Sequence, residues 1–342
     1  MNFCTLFDSY YLDKGLALYR SLSKVTEDFT LYVFCFDDKA KAILDGMTLP
    51  HLVVLHHSDF ETEELLKLKK ERSRAEYCWT CTSVIIEYVL DHYPVDSCTY
   101  LDSDLYFYAD PALLFQEIEA EKADVVIVPH RFKDNDYGRK LEERNGRYCV
   151  QFNYFRQTEN GRRVLTWWKE KCMEWCFDIP EPDRMGDQKY LNGWPEKFPG
   201  VWELQHLGGG VAPWNLEQYR FCGAENGKLM MEDGKSGEKF PLVFYHFQNL
   251  RYMPGRRVNI KSQTKNKKLK YRIYIPYLKE TEAIRRMLEE KYGLSFEPKK
   301  LQRSSNVLVG FLQRHFAAFK IQSLSDIIDL DRLDSYVEKD GK

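Results

Sequence analysis

Residues 99–111 are "TYLDSDLYFYADP", an apolar strand that runs out into two carboxylates two positions apart. Side chains of an extended chain alternate with period two, so Asp102 and Asp104 are expected to project from the same side. Like charges held side by side repel, and a cation lying between them relieves the repulsion. Hard oxygen donors suit Mg²⁺ or Mn²⁺ rather than a soft metal. The pair therefore predicts a divalent-metal site at the end of a core strand.

On either side of this stretch, apolar runs alternate with amphipathic ones. "NFCTLF" (2–7), "FTLYVFCF" (29–36), "HLVVLHH" (51–57), "CTYLD" (98–102) and "ADVVIVP" (123–129) are separated by "LDKGLALYRSLSKV" (12–25), "KAKAILDGM" (39–47) and "CTSVIIEYVLDHY" (81–93). Strands spaced by helices of this length predict an α/β fold with a Rossmann-like, mostly parallel sheet flanked by helices. Such sheets bind ligands beyond the C-terminal ends of their strands. Asp8, just after the first strand, is thus expected on the same rim as Asp102 and Asp104.

From residue 147 the pattern changes to "RYCVQFNYF" (147–155), the helix-like "GRRVLTWWKEKCMEWCF" (161–177) and loops rich in Gly, Pro and Trp up to "HFQNLRYMPG" (246–255). This half is expected to shape a substrate pocket. Trp194, Trp202 and Trp214 can stack on sugar faces, although core filling accounts for most tryptophans. After Pro254, "GRRVNIKSQTKNKKLKYRIYIPYLK" (255–279) interleaves cations with Tyr and Ile. It reads as a solvated charged face or, with the apolar "NVLVGFLQRHFAAFKI" (306–321), as a patch over residues 256–320 for anionic lipid headgroups. The segment "SLSDIIDLDRLDSYVE" (323–338) is expected to be an amphipathic surface or docking helix. The chain thus divides into residues 1–255, with halves 1–130 and 147–255, and a basic, amphipathic, helical extension, 256–342.

The bulk composition narrows the functional classes. With 342 residues and 44% apolar content the chain can fill a large core, and 50 Lys+Arg against 52 Asp+Glu leave a net charge of −2. No global basic field argues for nucleic acid. The opening residues lack a basic-then-apolar leader, and no run of about 18 apolar residues occurs, so a cytoplasmic protein is expected. The nine cysteines are scattered through apolar segments, which fits a reducing compartment. "CWTC" (78–81) and "CMEWC" (172–176) are expected to be buried structural cysteines, because the second spacing is wrong for a zinc ribbon and no partnering His lies close.

An Asp-x-Asp after a strand has several possible owners. In haloacid-dehalogenase-type phosphatases it usually opens the domain, with Thr or Val two positions after the second Asp; here Tyr106 holds that place and a hundred residues of sheet precede it. Sugar nucleotidyltransferases call for a Gly-rich loop after the first strand, and "LFDSYYLDKG" (6–15) has none. Four segments in order, "TLFDSYYLDKGLALYRSL" (5–22), "YLDSDLYFYADP" (100–111), "GDQKYLN" (186–192) and "FYHFQN" (244–249), resemble the metal-dependent GT-A glycosyltransferases, close in layout to glycosyltransferase family 8.

That resemblance implies a bacterial enzyme of polysaccharide biosynthesis. It would move a hexose-type sugar from a nucleotide-diphosphate sugar, a UDP-sugar by preference, to a glycan or glycolipid, with retention of anomeric configuration. It places Phe7, Asp8 and Tyr11 at the base and ribose, and Asp102, Ser103 and Asp104 with His246 around Mn²⁺ (or Mg²⁺). Imidazole favours manganese of the two. Asp187 and Gln188 would lie beside the donor sugar as the catalytic pair, Gln188 stabilising the positive centre and Asp187 holding hydroxyls. Asp187 is also the candidate base should the enzyme invert. Arg74 and Arg251 would reach the diphosphate, with Arg72 a further candidate, and Asn153 with Gln151 would face sugar hydroxyls. His206 in "LQHLGGGVAPWN" (204–215) is the rival third metal ligand, and the Gly and Lys usual after the family's His are absent as a pattern after His246. A lipid-linked glycan, capsule or lipopolysaccharide precursor at the inner membrane face is the expected acceptor. The alternatives are a non-catalytic sugar-nucleotide-binding relative and a metal-dependent phosphatase or nucleotidyltransferase.

Overall fold

The computed structural model describes residues 1–296 and 326–338. In chain order the strands are β1 (Asn2–Phe7), β2 (Thr30–Cys35), β3 (Leu52–His56), β4 (Ser97–Leu101), β5 (Leu105–Phe107), β6 (Val125–Pro129), β7 (Tyr148–Arg156), β8 (Val201–Glu203), β9 (Tyr219–Glu225), β10 (Lys228–Asp233), β11 (Lys239–Pro241), β12 (Phe244–His246), β13 (Arg251–Met253), β14 (Arg257–Asn259) and β15 (Ile327–Asp329). Seven of them form one sheet in the order β3-β2-β1-β4-β7-β6-β8. Its pairs are parallel except those made by β7, which runs against both neighbours. The expected α/β architecture, a mostly parallel sheet between helices, is the one observed.

Period-two alternation sorts the strand residues to two cores. Phe3 and Phe7 of β1 and Leu31 and Val33 of β2 face one side, with Leu16 and Leu18 of helix Leu12–Val25 and Ile273 and Tyr277 of helix Lys267–Tyr292. Cys4, Leu6, Tyr32 and Phe34 face the other, with Ile85 and Val89 of helix Arg74–His92 and Trp168 of helix Glu159–Glu174. Burial of both faces explains why the strands read as continuous apolar runs. Helix Arg74–His92 starts sharply because Ser73 and Glu76 form a capping box that satisfies two orphan backbone donors.

The last described segments depart from expectation. Residues 323–338 were expected to form one amphipathic helix; the described part is instead strand β15, a short turn and helix Leu333–Glu338. Ile328 pairs across from Val258 and is fully buried, so a ladder on β14 outcompetes a short helical pattern. Helix Lys267–Tyr292 turns Leu269, Ile273, Tyr274, Tyr277 and Leu288 inward, and that apolar face is used by the core rather than presented to a bilayer. The apolar stretch 306–321 lies outside the described residues. Among the described residues no helix is long and apolar enough to cross a membrane.

Candidate functional site

β4 ends at Leu101, and the chain turns through Asp102, Ser103 and Asp104 before entering β5. The turn is pinned by its backbone: Asp102 N–H donates to the Gln151 carbonyl on β7 at 3.1 Å, and Leu105 N–H donates to the Asp102 carbonyl at 3.2 Å. β5 then pairs antiparallel with β12 in a register that sets Leu105 opposite His246. Phe247 N–H closes the pairing on the Asp104 carbonyl at 3.0 Å. This two-stranded ladder carries a histidine from late in the chain to the acidic turn.

The side chains converge accordingly. His246 Nε2 lies 3.0 Å from Asp104 Oδ1 and 3.5 Å from Asp102 Oδ2, and the side chains of Asp102, Asp104 and His246 are 27%, 16% and 5% exposed. These three are one of two groups among the described residues whose ligand atoms lie close enough to share an ion. Two of the three are held from behind. Gln151 Oε1 sits 2.9 Å from His246 Nδ1, which directs Nε2 at the acids, and the Tyr100 hydroxyl donates to Asp102 Oδ1 at 2.9 Å. The Trp214 ring packs edge-on to His246 with centroids 5.4 Å apart, and its indole N–H donates to the His130 carbonyl at 2.8 Å.

The electrostatics match a cradle awaiting positive charge. Burial, reinforced by Asp104, pushes Asp102 up to about 7 against the opposing pull of His246 and the Tyr100 hydrogen bond. Burial also works to raise Asp104, but the His246 ring overcomes it and lowers this carboxyl. Burial alone would lower His246; Asp104 and then Asp102 reverse the sign and raise it. Two oxygens and one imidazole nitrogen fit Mn²⁺ or Mg²⁺ and leave coordination positions open for a ligand.

Around this centre lie polar groups that the fold leaves without partners. Asn153 is fully buried on β7, and neither its amide nitrogen nor its oxygen has a hydrogen-bond partner; Gln151 Nε2 is likewise unpaired. Buried amides are normally satisfied, and these two keep hydrogen-bonding capacity free of other protein groups. Asp187 is buried, and burial with the neighbouring charge of Asp102 raises its carboxyl well above the ordinary range. Its loop is set by Gly186 at φ 55, where an added Cβ would press on the Trp79 ring at 3.2 Å, and by the Trp168 indole N–H, which donates to the Asp187 carbonyl at 2.9 Å.

Other expected site residues are placed differently. Gln188 Nε2 donates to the Asn145 carbonyl at 2.7 Å, and no hydrogen bond joins it to Asp102, Asp104 or His246. Asp8 forms an ion pair with Arg74, whose side chain is 53% exposed and whose guanidinium also lies over the Tyr10 ring. Tyr11 is exposed with the Lys14 ammonium 3.7 Å above its ring, and Phe7 is buried at the end of β1. Ser103 sits half-buried in the acidic turn, and Arg251 is exposed on β13. Arg72 is spent on structure: its guanidinium donates to the Cys172 and Met173 carbonyls at 2.7 and 2.6 Å and to Thr80 Oγ1. His206 stays outside the acidic group, with Nδ1 accepting from Gly208 N–H at 3.1 Å. Beside it, a Cβ on Gly208 would meet the Pro241 carbonyl at 2.0 Å, so this glycine serves close backbone packing. Trp194 is core, and Trp202 donates to Glu117 at 2.7 Å. All nine cysteines are free, and among the described residues none belongs to a metal-ready group.

No protein-family model matches the chain. It is 33% identical over 255 residues to the uncharacterized protein YfnF of Bacillus subtilis (strain 168), covering 73% of this chain and 81% of the relative. It is 29% identical over 262 residues to the uncharacterized protein YfnD of the same organism, covering 76% and 81%. Among solved structures it is similar to the galactosyltransferase LgtC in complex with donor and acceptor sugar analogs, at TM-score 0.47 and 13% identity over 75% of this chain and 88% of that one. At a third of residues identical over most of both chains, this protein belongs to the same family as YfnF.

Proposed function

We propose that this chain is a divalent-metal-dependent glycosyltransferase. In this reading it moves a hexose-type sugar from a nucleoside-diphosphate sugar, a UDP-sugar by preference, to a glycan or glycolipid with retention. The observation that carries it is the convergence of Asp102, Asp104 and His246 at the C-terminal rim of a mostly parallel sheet, beside a buried Asp187 and an unpartnered Asn153.

A divalent ion held by those three side chains would neutralise charge gathering on a departing diphosphate. The chain's own groups would do the rest. Asn153 offers a donor and an acceptor to sugar hydroxyls, and Asp187 offers a second anchor from a dry site where its hydrogen bonds are strong. Gln188, tethered through its nitrogen to Asn145, keeps its oxygen for the positive centre of the sugar. Asp8 and Tyr11 would bind the nucleoside, and Arg74, exposed beside Asp8, would serve the diphosphate.

The test is nucleotide release from a panel of UDP-, GDP-, CMP- and dTDP-sugars with Mn²⁺, with and without EDTA. Metal-dependent release from one donor, lost in Asp104→Ala, supports the reading. Metal-dependent nucleotide binding without turnover would favour a non-catalytic relative, and neither would sink the proposal. NMR of the product anomer decides retention against inversion with Asp187 as base.

A further inference from the structure

We propose that Asp38, His56 and His57 form a second cation site, built for a borderline transition ion such as Zn²⁺. It lies at the edge of the main sheet, apart from the Asp102–Asp104–His246 centre.

β2 and β3 pair in parallel with Cys35 opposite His56, so their C-terminal exits emerge side by side. The β2 exit leads through Asp37 into helix Asp38–Asp45, and the β3 exit leads at once into the short helix His57–Phe60. Both imidazoles meet one carboxylate oxygen: His56 Nε2 lies 2.7 Å and His57 Nε2 3.6 Å from Asp38 Oδ1. All three ligand atoms fall within 4.8 Å of one another.

The far nitrogen of each ring is held as well. His57 Nδ1 sits 3.0 Å from Glu61 Oε2, and His56 Nδ1 sits 2.8 Å from Ser58 Oγ. Glu61 cannot swing away. Its side chain is 4% exposed, and its other oxygen accepts from the Tyr77 hydroxyl at 2.8 Å and the Lys69 ammonium at 2.7 Å. A carboxylate that accepts from Nδ1–H and leaves Nε2 for a metal is the usual support of a histidine ligand. The ring centroids are 3.9 Å apart, so both Nε2 atoms approach the same Asp38 oxygen. Two nitrogens and one oxygen match the three-ligand pattern of zinc with a fourth position open. On loading, any proton on either Nε2 is released to solvent, His57 Nδ1–H donates to Glu61, and His56 Nδ1–H donates to Ser58 Oγ in place of the 3.4 Å contact in which Nδ1 accepts from Ser58 N–H.

The test uses the full chain, stripped with EDTA and titrated with Zn²⁺ by calorimetry and with Co²⁺ by absorption, far-UV circular dichroism verifying the fold. In an Asp104→Ala background, which disables the buried centre, one Zn²⁺ equivalent should remain. Adding His56→Ala and His57→Ala should weaken it at least about a hundredfold, and adding Glu61→Gln alone should weaken it by about tenfold. Equal Zn²⁺ binding with and without the two histidines would overturn the proposal. So would the absence of any Zn²⁺ equivalent in Asp104→Ala, or a cobalt spectrum dominated by thiolate charge transfer.

Discussion

The Asp102–Asp104–His246 centre and the Asp38–His56–His57 group share the C-terminal rim of one sheet and are built in opposite ways. The first draws its histidine across most of the chain through the β5–β12 ladder and sits largely out of water. The second uses neighbouring strand exits, and its Asp38 is 92% exposed. In the buried centre each charge is felt strongly by the others, so protonation, metal and fold are linked. At the edge, solvent screens the same kind of contact. A cation site can thus be assembled by long-range pairing or by local exits, and only the buried one is expected to govern activity.

The largest expected break falls on the buried centre: Asp104→Ala should cut metal-dependent nucleotide release by roughly 10³-fold, about the loss seen when a principal electrostatic element is removed. Next, Asp13→Ala strands the Arg285 guanidinium, which now donates to Asp13 at 2.6 Å across helices Leu12–Val25 and Lys267–Tyr292. With one partner of a mostly buried pair gone, urea denaturation should show a loss of about 3 kcal/mol. Gln151→Leu removes the group that aims His246 and should weaken Mn²⁺ binding by about 10- to 100-fold, read by calorimetry.

The pH dependence sharpens the contrast. Asp102 at about 7 must lose its proton to bind a metal, so Mn²⁺ affinity should climb as pH rises through about 7. In metal-free protein, Asp102 and His246 both hold their protons more tightly folded than unfolded. Their contribution to stability is full below the unfolded values and is lost as pH rises through the folded ones. Asp104 has the opposite sign: its lowered carboxyl contributes above its unfolded value and loses that contribution as pH falls. Thermal unfolding without metal should therefore show Tm falling between about pH 5 and 8, and Mn²⁺ should flatten the slope. The smallest effect belongs to the edge. His57→Ala should leave nucleotide release within about twofold of wild type, as for most surface substitutions outside a reacting centre.

Much of this architecture is legible along the chain. Apolar runs of strand length separated by amphipathic stretches predict the parallel sheet, because a strand buried on both faces needs no polar alternation. The Asp102–Asp104 exit predicts a metal because two adjacent carboxylates are costly without one. Local chemistry could not choose between His246 and His206, or tell that Arg72 is consumed by the Cys172 and Met173 carbonyls while Arg74 stays exposed. Nor could it show that Gln188 is tethered to Asn145, that 323–338 contributes a strand, or that His56 and His57 meet Asp38. Each of those outcomes depends on which distant segments pair and in what register. Periodicity acts over a few residues and so determined the elements; burial of the whole core selects the pairing, and only the tertiary structure decided which side chains share a site.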